Sequence, residues 1–282
     1  MGLDVRIAVT RTVDGERLVA DRGDGEFLLT PVSDLGAALA NGTVADLGAL
    51  GGRSVDIADL SLAPVVGTSG KVICVGHNFT QHILEMGHGL PEYPNVFSKF
   101  REALVGANDA IELDPVSSAW DWEAELVMVI GRPARRVSEE TALDYVAGYT
   151  VANDISARDW QRRGSQWLLG KTFQSTTPIG PWMVTADEVD PADGLSLSCM
   201  VDGIEKQNST TADLLFGPGF LVSYLSHVLT LNPGDIVLTG TPAGVGAGRE
   251  PAEYLKPGQT VVTEIEGIGR LVNSCAAPSF AA

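Results

Sequence analysis

Six short runs rich in β-branched residues constrain the fold of this chain more than any other feature: VICVG (72–76), ELVMVIG (125–131), YTVAND (149–154), SLSCMV (196–201), DIVLTG (235–240) and TVVTEIE (260–266). Runs of this length and composition, most of them bounded by Gly, Pro or Asp, are strands. Between them two segments carry helix signals. Ser138 to Val146 has an N-cap serine and an acidic first turn (Glu139, Glu140), and Phe220 to Leu229 is apolar with helical period. So few helices do not make repeated βαβ units. The expected architecture is α+β and predominantly β, closed into a sandwich or barrel.

The first part of the chain has a different texture. Alternation at Val5 to Val9 and again around Glu26 to Leu29 suggests a small antiparallel sheet, and Asp34 to Ala40 reads as a short helix with Ser33 as N-cap and Gly42 as its stop. Ser61 to Gly70 (SLAPVVGTSG) has the Pro, Gly and Ser density of a linker. The expected division is a small N-terminal α+β domain over 1–68 and a catalytic domain over 69–282, which 282 residues readily accommodate.

Charge narrows the function. With 19 Lys+Arg against 36 Asp+Glu, the net charge of −17 opposes binding to nucleic acid or an anionic membrane, and no basic cluster reverses it locally. A small anionic substrate must then be held by a bound cation or by a few well-placed basic groups. Cys74, Cys199 and Cys275 are widely spaced and lack C-x-x-C, so they suggest buried small hydrophobes and neither a disulfide framework nor a zinc site. No signal-peptide run opens the chain and no stretch approaches about 18 consecutive apolar residues, so the expectation is a soluble, cytoplasmic protein.

Chemistry concentrates in three places. Glu123 and Glu125 are two apart at the start of a strand and therefore share a face. Paired carboxylates there either edge a solvated strand or need a compensating cation, and Asp154, closing another apolar strand, adds a third. Three carboxylates without Cys or His suit Mg²⁺ or Mn²⁺, with Ca²⁺ a further option, and not zinc. His82 and Glu85, in HNFTQHILEMG, lie i and i+3 apart, so on a short helix the carboxylate can orient the imidazole as a base; otherwise they are a surface ion pair. Crowding of His77, His82 and His88 into this segment suggests a mobile lid. Lys171 and Arg158 could meet a substrate carboxylate or a developing enolate, or else Arg158 pairs with a carboxylate such as Asp159 and Lys171 is solvated. The loop LTGTPAGVG (238–246) follows a strand and could cradle an anion with its N–H groups, but it lacks the ending of a phosphate-binding loop. Trp122, Trp160, Trp167 and Trp182 belong either to an acyl pocket or to the core or an interface.

Taken in order, the blocks KVICVGHNFTQHILEMG, ALVGANDAIELD, DWEAELVMVIGRPARRVS, ALDYVAGYTVANDISARDWQ, GKTFQSTTPIGPWMVT and LNPGDIVLTGTPAGVG resemble the fumarylacetoacetate hydrolase family from about residue 71 to the end. The resemblance implies a mixed β-sandwich or roll catalytic domain, a homodimer, and a divalent cation on Glu123, Glu125 and Asp154. It also implies a His82–Glu85 dyad, the family lysine at Lys171, and substrate contacts at Thr241, with Gly240, Arg158 and Gln161 as further candidates. The expected reaction is metal-dependent hydrolysis of a C–C bond in a 2,4-diketo acid of acylpyruvate or fumarylacetoacetate type through an enolate, the dyad activating water. Oxaloacetate decarboxylation, isomerisation, decarboxylation or hydration of ring-cleavage products, and non-catalytic keto-acid binding are the alternatives. The chain departs from the family pattern at His77, at Phe79, at Lys99-Phe100 and at Lys171-Thr172-Phe173-Gln174, which bears on the choice of substrate.

Overall fold

The computed structural model describes residues 6–21, 26–49, 52–66 and 70–278. In chain order its principal strands are β1 (Arg6–Thr12), β2 (Gly15–Asp21), β3 (Phe27–Leu29), β4 (Arg53–Val55), β5 (Val72–Gly76), β6 (Asn95–Lys99), β7 (Ala124–Ile130), β8 (Val146–Asn153), β9 (Thr177–Thr185), β10 (Ser196–Val201), β11 (Ile204–Thr210), β12 (Ile236–Leu238), β13 (Thr260–Ile265) and β14 (Gly269–Ala276). All six β-branched runs are therefore strands. The large sheet runs β4-β3-β2-β1-β9-β8-β7-β12-β5-β6, and a second runs β11-β10-β13-β14, extended by Ile111–Glu112. Side-chain alternation along β7 sorts the core: Leu126, Met128 and Ile130 share one apolar cluster with Leu197, Val201, Val261 and Leu271 of the second sheet, whereas Val127 and Val129 pack on the other face with Ile7, Leu18, Leu35 and Ile179.

Several elements differ from the sequence reading. The N-cap of the helix Leu35–Ala40 is Asp34, whose carboxylate accepts from the N–H of Ala37 at 2.6 Å, so the charged neighbour displaces Ser33 from that role. The segment after Ser138 winds only as the helix Glu139–Ala142 and a 3₁₀ turn, Leu143–Tyr145. The nine-residue β9 escaped notice because Pro178 and Pro181 demote a strand pattern. Its ladder with β8 is irregular between Tyr149 and Val151, and the Thr150 hydroxyl lies 2.7 Å from the carbonyl of Trp182 and 3.0 Å from that of Gly180, so a side chain supplies bonding where the register slips. β1 pairs with β9 through Arg6–Val184 and Ile7–Met183, which makes the N-terminal strands an extension of the large sheet. The expected boundary between 68 and 69 lies outside the described residues.

Topology converges on one end of the large sheet. β7 is antiparallel to both β8 and β12, and β12 is parallel to β5. The start of β7 therefore lies beside the ends of β8, β12 and β5, and the chain leaving each of those ends is delivered to the same place. Helix α1 (Thr80–Glu85) follows β5, while α2 (Arg158–Gln161) and α3 (Leu168–Lys171) follow β8; α4 (Pro218–Val228) packs elsewhere. Among the described residues no helix is long and apolar enough to cross a membrane. Cys74, Cys199 and Cys275 are all buried and unpaired.

Candidate functional site

Glu123, Glu125 and Asp154 are buried, and each offers a carboxylate oxygen within 4.8 Å of the others. Register explains the meeting. Ala124 faces Asn153 across the β7–β8 ladder, and the pairing continues outward as Asp154 donates from its N–H to the Glu123 carbonyl at 2.8 Å. The Asn153 side chain accepts from the Glu123 N–H at 2.8 Å and donates to the Thr263 hydroxyl at 2.9 Å, tying the cluster to the second sheet.

The basic groups are spent on these carboxylates. The Lys171 ammonium donates to Glu123 and, at 2.9 Å, to Asp154. Arg158 places Nη2 2.6 Å from Glu123, donates from Nε to Asp121 at 2.8 Å and from Nη1 to the Gln161 side chain at 3.0 Å. Arg158 thus pairs with Asp121 and Glu123 and not with Asp159, which accepts from the Ser117 hydroxyl. Lys171 is buried, not solvated. Sequence reasoning passed over Lys99, which noted only the altered residue after it; its ammonium pairs with Asp154 and is fully buried.

Electrostatics separates the two glutamates. Burial alone would push the Glu123 carboxyl up, but the adjacent Arg158 and Lys171 charges outweigh it and bring it down to about 2. Burial, then the nearby Asp154 and Glu123 charges, push Glu125 well above the usual range. Lys171, which burial would lower, is raised by Asp154 and Glu123 to about 12. Four buried carboxylates, Asp121 included, thus face three buried cations, Lys99, Arg158 and Lys171. The all-oxygen donor set of Glu123, Glu125 and Asp154 fits a hard divalent ion of the Mg²⁺, Mn²⁺ or Ca²⁺ kind.

His82 and Glu85 are brought to the same place by α1, with Nδ1 3.3 Å from the carboxylate. The first part of the segment is anchored: Phe79 and Ile83 are fully buried, and the Asn78 side chain bonds Thr239 and both polar backbone groups of Phe216. The hydrogen bond from His82, despite partial burial, holds the Glu85 carboxyl below its usual value. The expected anion cradle at 238–246 is overturned as to its occupant. Gly240 N–H is taken by Glu125 at 2.7 Å, Gly244 N–H by Glu85 at 3.1 Å, and Gly246 and Ala247 by Asp121 at 2.6 and 2.9 Å. The anions are the protein's own carboxylates, so the loop positions both the cluster and the dyad. Gly240 adopts φ +101, and a Cβ there would meet the Val75 carbonyl at 2.9 Å.

Glu123, Glu125, Lys171, Arg158, Gln161, Thr241 and His82 all line one cavity of about 370 Å³, together with His77, His88, Arg162 and Trp167. Trp167 is therefore a pocket residue, whereas Trp122 is core and Trp160 and Trp182 are half-buried. Thr241 accepts from the Gln207 side chain at 2.8 Å, and Gln207 also accepts from the N–H of Ala124 at 2.9 Å, between the two glutamates. Asp121 and Gln207 are positioning residues that spacing could not disclose, because their partners, several of them backbone groups, are far away in the sequence.

The match to the family described as "Fumarylacetoacetate (FAA) hydrolase C-terminal" covers residues 71–276. A "Fumarylacetoacetate hydrolase domain-containing protein 2 homolog" of Dictyostelium discoideum is 51% identical over 217 residues, 73% of this chain and 71% of that one. An "Oxaloacetate tautomerase fahd2, mitochondrial" of Xenopus laevis is 45% identical over 214 residues, 75% of this chain and 67% of the relative. The structure of 5-carboxymethyl-2-hydroxymuconate delta-isomerase from Mycobacterium smegmatis superposes with a TM-score of 0.80 at 36% identity, covering 98% of this chain and all of that one. With the expected blocks folded into one buried acidic centre and relatives of this similarity, the chain belongs to the fumarylacetoacetate hydrolase family.

Proposed function

We propose that this chain is an enzyme of small 2-oxo acids that works through an enolate, with keto–enol tautomerisation of oxaloacetate as its reaction. The observation that carries this reading is that a proton-transfer group, His82, and a permanently charged ammonium, Lys171, line the same cavity as Glu123 and Glu125. A divalent ion held by Glu123, Glu125 and Asp154 would act there as a Lewis acid toward the 2-oxo acid. His82, its Nδ1 turned to Glu85, offers Nε2 to take a proton from C3 and to return it at the enol oxygen. Lys171 remains protonated at neutral pH and opposes the negative charge that develops on the enolate. The 45% identity to an oxaloacetate tautomerase supports the choice of substrate.

A second reading is hydrolysis of an acylpyruvate C–C bond, in which His82 deprotonates water that attacks the distal carbonyl carbon and pyruvate leaves as its enolate. Partial exposure of Glu85 favours it, since the dyad is within reach of solvent. Parallel assays with Mg²⁺, Mn²⁺ and EDTA test both. Metal-dependent decay of enol-oxaloacetate absorbance without loss of total oxaloacetate supports the tautomerase. Loss of the acetylpyruvate ultraviolet band, with acetate and pyruvate formed, selects the hydrolase instead. Release of CO₂ from oxaloacetate would redirect the reading to decarboxylation, and silence in every assay would sink it.

A further inference from the structure

We propose that the mouth of the cavity is a second anion subsite, in which His77, His88 and Arg162 receive the distal carboxylate of a dicarboxylic 2-oxo acid. The inference rests on the functional reading above, whose substrate is a dicarboxylate, and adds the residues that select for the second carboxylate. Three observations carry it.

The first is backbone geometry. Among the described residues, His77 is one of four non-glycine residues held at positive φ, at +55°, directly after β5. A bulky residue in this region is uncommon and persists where the surroundings over-determine it. Here they do: the Trp167 ring occupies the place of a side chain at position 76, since a Cβ on Gly76 would lie 2.3 Å from it. The His77 imidazole meets Trp167 edge-on, with ring centroids 5.2 Å apart, and lies 5.0 Å from His88. A half-buried ring is thereby fixed in the cavity wall.

The second is hydrogen bonding. Among the described residues, the ring nitrogens of His77 and His88 and the guanidinium of Arg162 make no hydrogen bond or ion pair. The deeper cations are committed: Lys99 to Asp154, Lys171 to Glu123 and Asp154, and Arg158 to Asp121 and Glu123. Among the described residues, the basic side chains of this cavity left without a partner are thus His77, His88 and Arg162.

The third is charge. In a chain of net charge −17, an uncommitted arginine at this cavity opposes the general field, and the two uncommitted imidazoles beside it add N–H donors, a combination that selects for an anion. The inner carboxylate of the ligand belongs to the acidic centre, so the outer residues are left to meet a second one.

Binding of three non-reacting probes with Mg²⁺ present, followed by calorimetry, tests the assignment. Oxalate has the inner end alone; 2-oxoglutarate and 2-oxopentanoate share that end and chain length, with carboxylate and methyl at the far end. The full-length protein should prefer 2-oxoglutarate to 2-oxopentanoate by about tenfold or more, the discrimination expected of a charge-assisted hydrogen bond. His77→Leu and, at an exposed position where folding is not at stake, Arg162→Gln should each bring that ratio toward one while leaving oxalate affinity unaltered. No preference in the parent protein, or equal loss for both long probes in the variants, overturns the subsite. Failure of oxalate itself to bind overturns the underlying 2-oxo acid reading, and the subsite with it.

Discussion

The N–H of Asp154 donates to the carbonyl of Glu123 at 2.8 Å, one step beyond the Ala124–Asn153 pair that ends the β7–β8 ladder. Two of the three clustered carboxylates are thus set by strand pairing and not by side-chain conformation. A site fixed by the ladder can lose charge without losing shape. Substitutions in it should therefore report electrostatics more than misfolding.

Glu125 is the plainest case. Its carboxyl is pushed well up by burial and by Asp154 and Glu123, so its charge costs stability as pH rises beyond the unfolded carboxylate range. Glu125→Gln keeps an oxygen for the Gly240 N–H and removes that charge. Without metal, the variant should melt higher at neutral pH than the parent protein. The upward shift expected of the parent protein in Mg²⁺ should be absent from the variant. An equal Mg²⁺ shift in both proteins would remove Glu125 from the ligand set.

Lys171→Met should act in the opposite sense. The ammonium is buried between Glu123 and Asp154, and its loss leaves carboxylates uncompensated, at a cost of about 3–5 kcal/mol. Mg²⁺ should restore part of that stability, because a divalent ion answers the same charge. Turnover should stay down by about 10²–10³-fold even when metal is saturating, since on the proposed mechanism the cation that opposes the developing enolate charge is gone. Thermal melts in EDTA and in Mg²⁺, beside kcat, separate the two effects.

Much of this centre was legible in the sequence because it lies on local patterns. Glu123 and Glu125 are two apart on a strand, His82 and Glu85 one helical turn apart, and Asp154 closes an apolar run. Lys99 was harder to read, since it comes from the edge strand β6 and its partner, Asp154, is supplied by tertiary structure. Asp121 was hidden for a related reason: its bonds run to the backbone of Gly246 and Ala247, and backbone donors have no sequence signature. The proline-bearing β9 shows the same limit in the fold, where pairing on both sides of a strand overrides a local pattern that argues against it.

His82→Ala should lower kcat by about 10²–10⁴-fold while Mg²⁺ affinity changes less than twofold. Glu85→Gln should cost less, because an amide still accepts from the Gly244 N–H but orients and charges the imidazole more weakly. Metal titration by calorimetry and steady-state rates on the same samples decide the matter. Full activity in His82→Ala would show that another group transfers the proton.

Gln207 tests whether the second sheet sets the geometry of the first. Its buried side chain accepts from the Ala124 N–H and donates to the Thr241 hydroxyl at 2.8 Å and the Pro242 carbonyl at 2.9 Å, joining the start of β7 to the loop after β12. Gln207→Leu fills similar space but strands these groups without partners, which should cost about 3 kcal/mol. Because Ala124 lies between the two glutamates, Mg²⁺ affinity should fall; because Thr241 lines the cavity, KM should rise more than kcat falls. Gln207→Glu retains an acceptor for Ala124 but loses the amide donors, so it should recover metal affinity while KM remains high. That split distinguishes a positioning role from general loss of stability, which would move both readouts together in both variants.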